Sequence, residues 1–171
     1  MKTFTKGFKF LSKSLILVAL IVSVQAFSQE FTLGAHSGAL GRGNQTEIAY
    51  GAHINVNPLG WAALEIDATF ARFNNNNSYF SSSPGIVLYP IDFDAFKVGF
   101  VGGPGFYKYQ GHEIKFGLHG GMGGEFSLLD NFVVGMQTQY HGVFDSVANG
   151  GIDVWNVFVT FGYRFEVDGG W

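Results

Sequence analysis

The stretch KFGLHGGMGGEFSL, residues 115–128, alternates between two kinds of side chain. Bulky apolar residues occupy one parity, and polar residues and glycines occupy the other: Phe116, Leu118, Met122, Phe126 and Leu128 against Lys115, His119, Glu125 and Ser127. Successive side chains of a strand point to opposite faces, so the pattern predicts a strand with one apolar and one polar face. The apolar face of such a strand lies inside a soluble sheet, or outside a barrel that spans a membrane.

Seven further segments show the same alternation, and turn or loop signals separate them. Together the eight segments cover residues 31–40, 46–56, 61–73, 79–89, 96–107, 115–128, 132–144 and 152–165. The fourth segment is the weakest, because SSSPG interrupts it and leaves its parity ambiguous. Eight alternating segments with short connections predict an all-β fold, an eight-stranded antiparallel up-and-down sheet that closes into a barrel.

The polar face of these segments is rich in glycine. Nine glycines lie on it: Gly34, Gly38, Gly51, Gly99, Gly117, Gly121, Gly123, Gly135 and Gly162. An eight-stranded barrel has an interior just wide enough for side chains, so many inward positions have to be small. The bulky and aromatic residues of the other face would overfill that interior but suit a lipid-facing belt. The pattern therefore predicts a transmembrane β-barrel with a polar lumen. The alternative is a soluble, secreted lipocalin-like barrel with the two faces reversed.

Residues 1–26 have the layout of a secretory signal peptide, with four lysines, an apolar run at 15–24 and then small residues. Cleavage after Ala26, or as late as Ser28, leaves residues 27–171 as one barrel domain with a short tail at 166–171. An uncleaved anchor is the alternative, but the apolar run is about half of the ~20 residues that a spanning helix needs.

The charge of the remaining chain excludes one class of partner. Loss of the four leader lysines leaves 6 of the 10 basic residues against 13 acidic ones, and 6 − 13 gives a formal net charge of −7. An acidic chain without basic runs argues against nucleic acid. The chain has no cysteine, which excludes disulfides, thiolate metal sites and lipoprotein acylation.

The segment TFGYRF, residues 160–165, resembles the C-terminal strand signature of bacterial outer-membrane barrels, and Thr160, Gly162, Tyr163 and Phe165 match it. The whole mature chain resembles small barrels of the OmpA/OmpX type, and its short, Asn-rich loops resemble the outer membrane protein beta-barrel domain chains of Bacteroidota. The resemblance implies a monomer in the bacterial outer membrane, surrounded by lipid and lipopolysaccharide and inserted by the barrel-insertion machinery. One departure is that family members commonly stop at the final aromatic residue, whereas this chain continues EVDGGW.

The same resemblance implies a topology with both chain ends in the periplasm. Turns are then expected in the periplasm at residues 57–60, 90–94 and 129–131. Loops are expected outside the cell at residues 41–45, 74–84, 108–113 and 145–151. These loops are short for external loops, which disfavours a large adhesive surface.

The inward parity carries ionisable residues of both signs. We predict a polar network in the lumen, formed by Glu47, His53, Glu65, Asp67, Lys97, Lys115, His119, Glu125, His141 and Arg164. Buried charges have to be paired, so a nearly balanced set of acids and bases is typical of a plug that fixes strand register. This pattern favours a structural role, or small-scale binding at the cell surface.

Three other functions of the lumen would each need a specific feature. A narrow pore would need a continuous file of water, for which eight strands leave little room. A metal site is disfavoured because the inward histidines lie on four strands at unknown heights, and we expect no metal or other cofactor. A lipid A-modifying enzyme would need a Ser–His or acid–His pair. His36 and Ser37 point to opposite faces, whereas Glu125 and His141 share a face on neighbouring strands and could touch, as in a structural hydrogen bond. We therefore expect no catalytic residues.

Overall fold

The alternating segments form eight strands in a computed structural model, which describes residues 30–73, 77–93, 95–129, 131–144 and 152–166. In chain order the strands are β1 Glu30–Arg42, β2 Gln45–Asn57, β3 Ala62–Phe73, β4 Asn77–Phe93, β5 Phe96–Tyr109, β6 Lys115–Leu128, β7 Phe132–Phe144 and β8 Ile152–Glu166. The predicted signal peptide, the loop at 145–151 and tail residues 167–171 lie outside the described residues.

Each strand pairs antiparallel with the next, and β8 pairs with β1 to close the barrel. The closing ladder runs without interruption from Glu30 opposite Glu166 to Arg42 opposite Val154. Closure pairs both edges of the sheet, so the backbone groups of the strands bond within the barrel wall. We call the end where β1 begins and β8 ends the proximal end, and the opposite end the distal end.

The two faces of the barrel have opposite character. On the outside, Ile48 is 75% exposed and Phe161 is 58% exposed. On the inside, His141 and Asn156 are each 2% exposed. The apolar face therefore points outward, as predicted, and the reversed lipocalin-like arrangement is wrong. Among the described residues, no helix has the length and hydropathy needed to cross a membrane.

Strand β4 differs most from the sequence prediction. It begins at Asn77 and continues through SSSPG, so the external loop expected at 74–84 is wrong from residue 77 onward. Pro84 stays paired with Ile66 of β3, whereas the ladder to β5 pairs residues 79–82 and 86–88 and skips the residues between them. Proline lacks the N–H that a ladder needs, so it is tolerated best where the pairing of a strand is interrupted. Ser81 and Ser83 point inward, each 1% exposed, which settles the parity of the strand.

Three connections are tighter or shifted relative to prediction. Residues 43 and 44 alone join β1 to β2, and Gly43 has a φ of +57°, which glycine adopts without strain. Pro90 lies within β4, beside a register shift between Leu88 and Ile91, so the turn expected at 90–94 is wrong for residues 90–93. Strand β5 extends to Tyr109, which moves the start of the next loop to residue 110.

Candidate functional site: the barrel lumen

A cluster of charged side chains closes the proximal end of the lumen. Lys97 Nζ lies 2.9 Å from Glu30 Oε2 and 3.7 Å from Asp92 Oδ2. Arg164 Nη2 donates to Glu125 Oε1 at 2.7 Å, and Arg164 Nη1 lies 3.9 Å from Glu30 Oε1. Lys97 and Arg164 are each 6% exposed, so both cations are buried among carboxylates of opposite sign. Buried cations are tolerated when carboxylates pair with them in this way.

Above this cluster lies a small cavity. Its volume is about 60 Å³, enough for a few water molecules. Its wall includes His53, Glu65, Lys97 and Glu125. Two further hydrogen bonds cross the same region, from Gln137 Nε2 to Glu65 Oε1 at 3.1 Å and from Asn55 Nδ2 to the hydroxyl of Tyr89 at 3.2 Å.

A cluster of two imidazoles and one carboxylate lies on β1, β2 and β3. The Thr69 hydroxyl donates to Asp67 Oδ1 at 2.8 Å and lies 3.0 Å from His36 Nε2. His36 Nδ1 lies 3.3 Å from Asp67 Oδ2, although these two atoms do not have hydrogen-bond geometry. The ring of His53 stacks on that of His36 with a centroid distance of 6.1 Å.

A second histidine pair lies on β6 and β7, where His119 and His141 face each other across the ladder. Their rings stack with centroids 5.7 Å apart. Both ring nitrogens of His141 have partners, the Tyr107 hydroxyl at 3.0 Å and Asn156 Nδ2 at 2.9 Å. Its role is thus to join β5, β7 and β8 through buried hydrogen bonds.

The distal half of the lumen is filled by apolar and aromatic side chains. The cluster, which we call the distal plug, consists of Leu40, Ala49, Ala71, Phe73, Tyr79, Tyr107, Tyr109, Val143, Val154 and Phe158. Tyr79 and Tyr107 are fully buried, and Phe158 is 1% exposed. The Arg42 guanidinium lies 4.3 Å above the ring of Tyr109 at the distal rim. The distal half of the lumen is therefore mainly apolar and aromatic, a difference from the other parts that the sequence pattern did not predict.

The predicted network residues fall at several heights. Lys97, Glu125 and Arg164 meet at the proximal end, where they are joined by Glu30 and Asp92, which sequence analysis did not include. Glu47 and Lys115 are half-buried near the distal ends of their strands. Glu30 could have been found by extending the first alternating segment by one residue, since it continues the pattern with the opposite parity to Phe31.

The two residue pairs that share a possible catalytic chemistry, Glu125 with His141 and His36 with Ser37, do not meet in the structure. Glu125 pairs across β6 and β7 with Gly135, whereas His141 pairs with His119, six residues away along β6. The expectation that Glu125 and His141 could touch is therefore wrong, because it was based on face alone and ignored height. Ser37 points outward and its hydroxyl donates to the Ala49 carbonyl at 3.2 Å, away from the inward ring of His36.

The C-terminal signature forms part of the outer aromatic surface at the proximal end. Thr160 and Gly162 lie on the inward parity of β8, whereas Tyr163 and Phe165 point outward and are 37% and 44% exposed. The ring of Tyr163 contacts those of Phe165 and Phe132, with centroids 4.8 and 5.1 Å apart. Phe31 of β1 lies 5.9 Å from Phe165, so the aromatic surface crosses the closing seam.

A closed eight-stranded barrel with an outer apolar belt and a filled lumen defines a class: the chain has the fold of a small, integral outer-membrane β-barrel of the OmpA/OmpX type. Its similarity to solved structures agrees. Neisserial surface protein A (NspA) superposes with a TM-score of 0.64 and 8% identity over 80% of this chain and 96% of that protein. The N-terminal β-barrel domain of Pseudomonas aeruginosa OprF gives 0.63 and 10% over 81% and 98%.

An enzyme also has this fold. The outer membrane enzyme PagL superposes with a TM-score of 0.55 and 14% identity over 77% of this chain and 97% of that protein. No family model matches the chain, and no curated protein matches it in sequence. At these identities the likeness is one of fold.

Proposed function

We propose that the protein is an outer-membrane barrel with a sealed lumen, which serves a structural role or binds small partners at the cell surface. The observation that carries this proposal is the distal plug, ten buried apolar and aromatic side chains that fill the lumen across its width. The charged cluster at the proximal end adds a second obstruction. An ion would have to pass both, and the cavity beside the charged cluster has a volume of only about 60 Å³.

The surface available for binding is limited on the side we propose to be extracellular. Residues 43–44 and 110–114 form two of the distal connections, and three residues separate β3 from β4. Loops this short build a small contact area, which fits a small partner or lipopolysaccharide rather than a large adhesive interface.

The outer aromatic surface around Tyr163 and Phe165 supports a role in insertion. We propose that the barrel-insertion machinery reads this surface at β8, the last strand, whose pairing with β1 completes the ring. In this proposal both chain ends lie in the periplasm. We also propose that the barrel is a monomer. Replacing Tyr163 and Phe165 by alanine should leave the barrel able to refold in detergent but slow its assembly in cells.

On the lipid face of the described strands, no nucleophile and base lie in contact, as an enzyme that modifies lipid would require. His36, His53, His119 and His141 all point into the lumen, where the described serines nearest to them do not bond to their rings. A hydrolase needs its nucleophile and base in contact at a surface that lipid can reach. Lipid A from cells with and without the gene should therefore give the same mass spectrum.

Planar-bilayer recording of the refolded barrel tests the sealed lumen. We expect no discrete conductance steps, while a large porin added to the same bilayer serves as a positive control. Regular, ohmic steps from the purified barrel would contradict the proposal. Heat-modifiable gel migration of the same sample shows that the inserted protein is folded.

A further inference from the structure

We propose that His36, His53 and Asp67 form a binding site for one divalent transition-metal ion, with Zn²⁺ as the natural probe, in the middle of the lumen. Each residue offers one ligand atom, and these atoms lie within 4.8 Å of one another. Nothing in the sealed-lumen function requires such a site, and the inference depends only on the barrel fold.

The first argument is that each of the three side chains carries a buried polar atom without a hydrogen-bond partner. His36 Nδ1, His53 Nδ1 and Asp67 Oδ2 are all buried and make no hydrogen bond in the part of the chain that the structure describes. His36 and Asp67 are each 3% exposed. A buried polar atom without a partner costs free energy, so one such atom on each of three neighbouring side chains points to a bound cation.

The second argument is that Thr69 fixes which atoms are available. Its single hydroxyl hydrogen is donated to Asp67 Oδ1, so its oxygen can only accept from His36 Nε2. In the neutral ring His36 Nε2 therefore carries the proton, and Nδ1 is an acceptor that lies 3.3 Å from Asp67 Oδ2. Two acceptors lie close together there, and a cation bound to both would turn repulsion into attraction. A hydrogen bond that orients a ligating histidine is the usual outer-shell feature of a metal site.

The third argument comes from the space around the two rings. The tripeptide Gly-Ala-His occurs at 34–36 in β1 and again at 51–53 in β2. The antiparallel register places Gly34 opposite His53 and His36 opposite Gly51, so each imidazole lies over a glycine of the other strand. A Cβ at Gly51 would overlap the ring of His36 and the carbonyl of Ala68. Both rings fit in a narrow lumen only because the repeat pairs with itself.

The donor set indicates the class of ion. Two imidazole nitrogens and one carboxylate oxygen suit Zn²⁺ and its neighbours rather than Ca²⁺ or Mg²⁺, which prefer oxygen ligands. Bonds of about 2.1 Å to each ligand require ligand atoms within about 4.2 Å of one another, so binding draws the widest pair together by a small side-chain rotation. His53 also lines the water-sized cavity, which leaves room for a water molecule as a fourth ligand.

Refolding of the metal-free chain into detergent at increasing Zn²⁺ concentration, monitored with a competing chromophoric chelator, tests the site, because the ion can then reach the lumen before the barrel closes. We expect one Zn²⁺ per chain. His53→Asn and Asp67→Asn should each weaken binding by more than about 100-fold, because loss of a ligand costs more than loss of its outer-shell partner. Thr69→Val should weaken it by about 10- to 100-fold.

His119→Asn is the matched control, since His119 is also an inward, buried histidine but lies on β6. It should bind Zn²⁺ as the unaltered barrel does. Equal loss in His119→Asn, or full binding in His53→Asn and Asp67→Asn, would overturn the proposal. So would the absence of Zn²⁺ binding by the unaltered barrel, which would leave His36 and Asp67 as a buried ion pair.

A measurement on the unaltered barrel covers the case in which a variant does not fold. X-ray absorption at the zinc edge should show scattering from two imidazoles in a shell of nitrogen and oxygen at about 2.0–2.1 Å. A spectrum without imidazole scattering would reject the site.

Discussion

The two ends of the lumen are closed by different chemistry. The proximal end is held by ion pairs, with Lys97 and Arg164 against Glu30 and Glu125. The distal end is filled by aromatic and aliphatic side chains around Tyr79 and Phe158. An apolar filling needs only complementary volume, whereas a charged filling needs every partner in place. Substitutions at the two ends should therefore destabilise the barrel for different physical reasons, and the free energies of unfolding of the variants measure the difference.

The largest effect is expected at the distal plug. Phe158→Ala should lower the free energy of unfolding by about 4 kcal/mol, because it opens a cavity beneath His36, on whose ring Phe158 stacks at 4.5 Å. Urea unfolding in detergent micelles, followed by tryptophan fluorescence, gives the value. Phe161→Ala on the lipid face is the control, and lipid can fill the space it leaves. Equal losses for the two variants would show that the plug is not packed like a core.

A smaller loss is expected at the proximal cluster. Arg164→Met should lower the free energy of unfolding by about 3 kcal/mol, because it leaves the Glu125 carboxylate, 2.7 Å from the guanidinium, without its partner. The same unfolding experiment measures it. Among the described residues, the control Arg42→Met removes a contact with the Tyr109 ring at the distal rim, and it should cost less than about 1 kcal/mol. A loss below 1 kcal/mol for Arg164→Met would mean that water solvates the proximal charges.

The smallest effect is expected where the two halves meet. The Tyr107 ring belongs to the distal plug, and its hydroxyl bonds to His141 Nδ1 at 3.0 Å. Tyr107→Phe keeps the ring and should cost about 1–2 kcal/mol, because a buried nitrogen loses its partner. Tyr50→Phe is the matched control, because Tyr50 lies on the lipid face and is 55% exposed. It should change the free energy of unfolding by only a few tenths of the Tyr107→Phe effect. If Tyr107→Phe is neutral, the apolar plug alone closes the distal half.

The alternation of side chains predicts whether a residue points into the lumen or outward, but it does not predict the height of that residue along the barrel. The inward parity of Glu125 and His141 was predicted correctly, yet they lie six residues apart along the ladder. The apolar inward residues Leu40, Val143 and Val154 were missed, because a single apolar residue on a polar parity does not disturb the pattern. The parity of the fourth segment is ambiguous in the sequence because SSSPG interrupts it, whereas in the structure pairing with β3 holds these residues in the sheet.

The sequence contains a sign of the candidate metal cluster, but its meaning depends on the register between β1 and β2. The repeated Gly-Ala-His tripeptide was visible in β1 and β2, but nothing in either strand specifies which residues lie opposite each other. A shift of the register by two residues would keep every face and separate each ring from its glycine. Asp67 lies on a third strand, β3, so its distance from His36 depends on the register between β1 and β2 and on the register between β2 and β3.

The sequence by itself determined the number of strands, their outward and inward faces, and the belt that faces lipid, because a strand has a strict two-residue period and that period is local. The tertiary structure alone decided the layers of the lumen: charges at the proximal end, the histidine and carboxylate cluster in the middle, and the apolar plug beyond. The reason is that height in a barrel is set by the stagger of each strand against its neighbours around the closed ring, and this stagger is a property of all eight strands together.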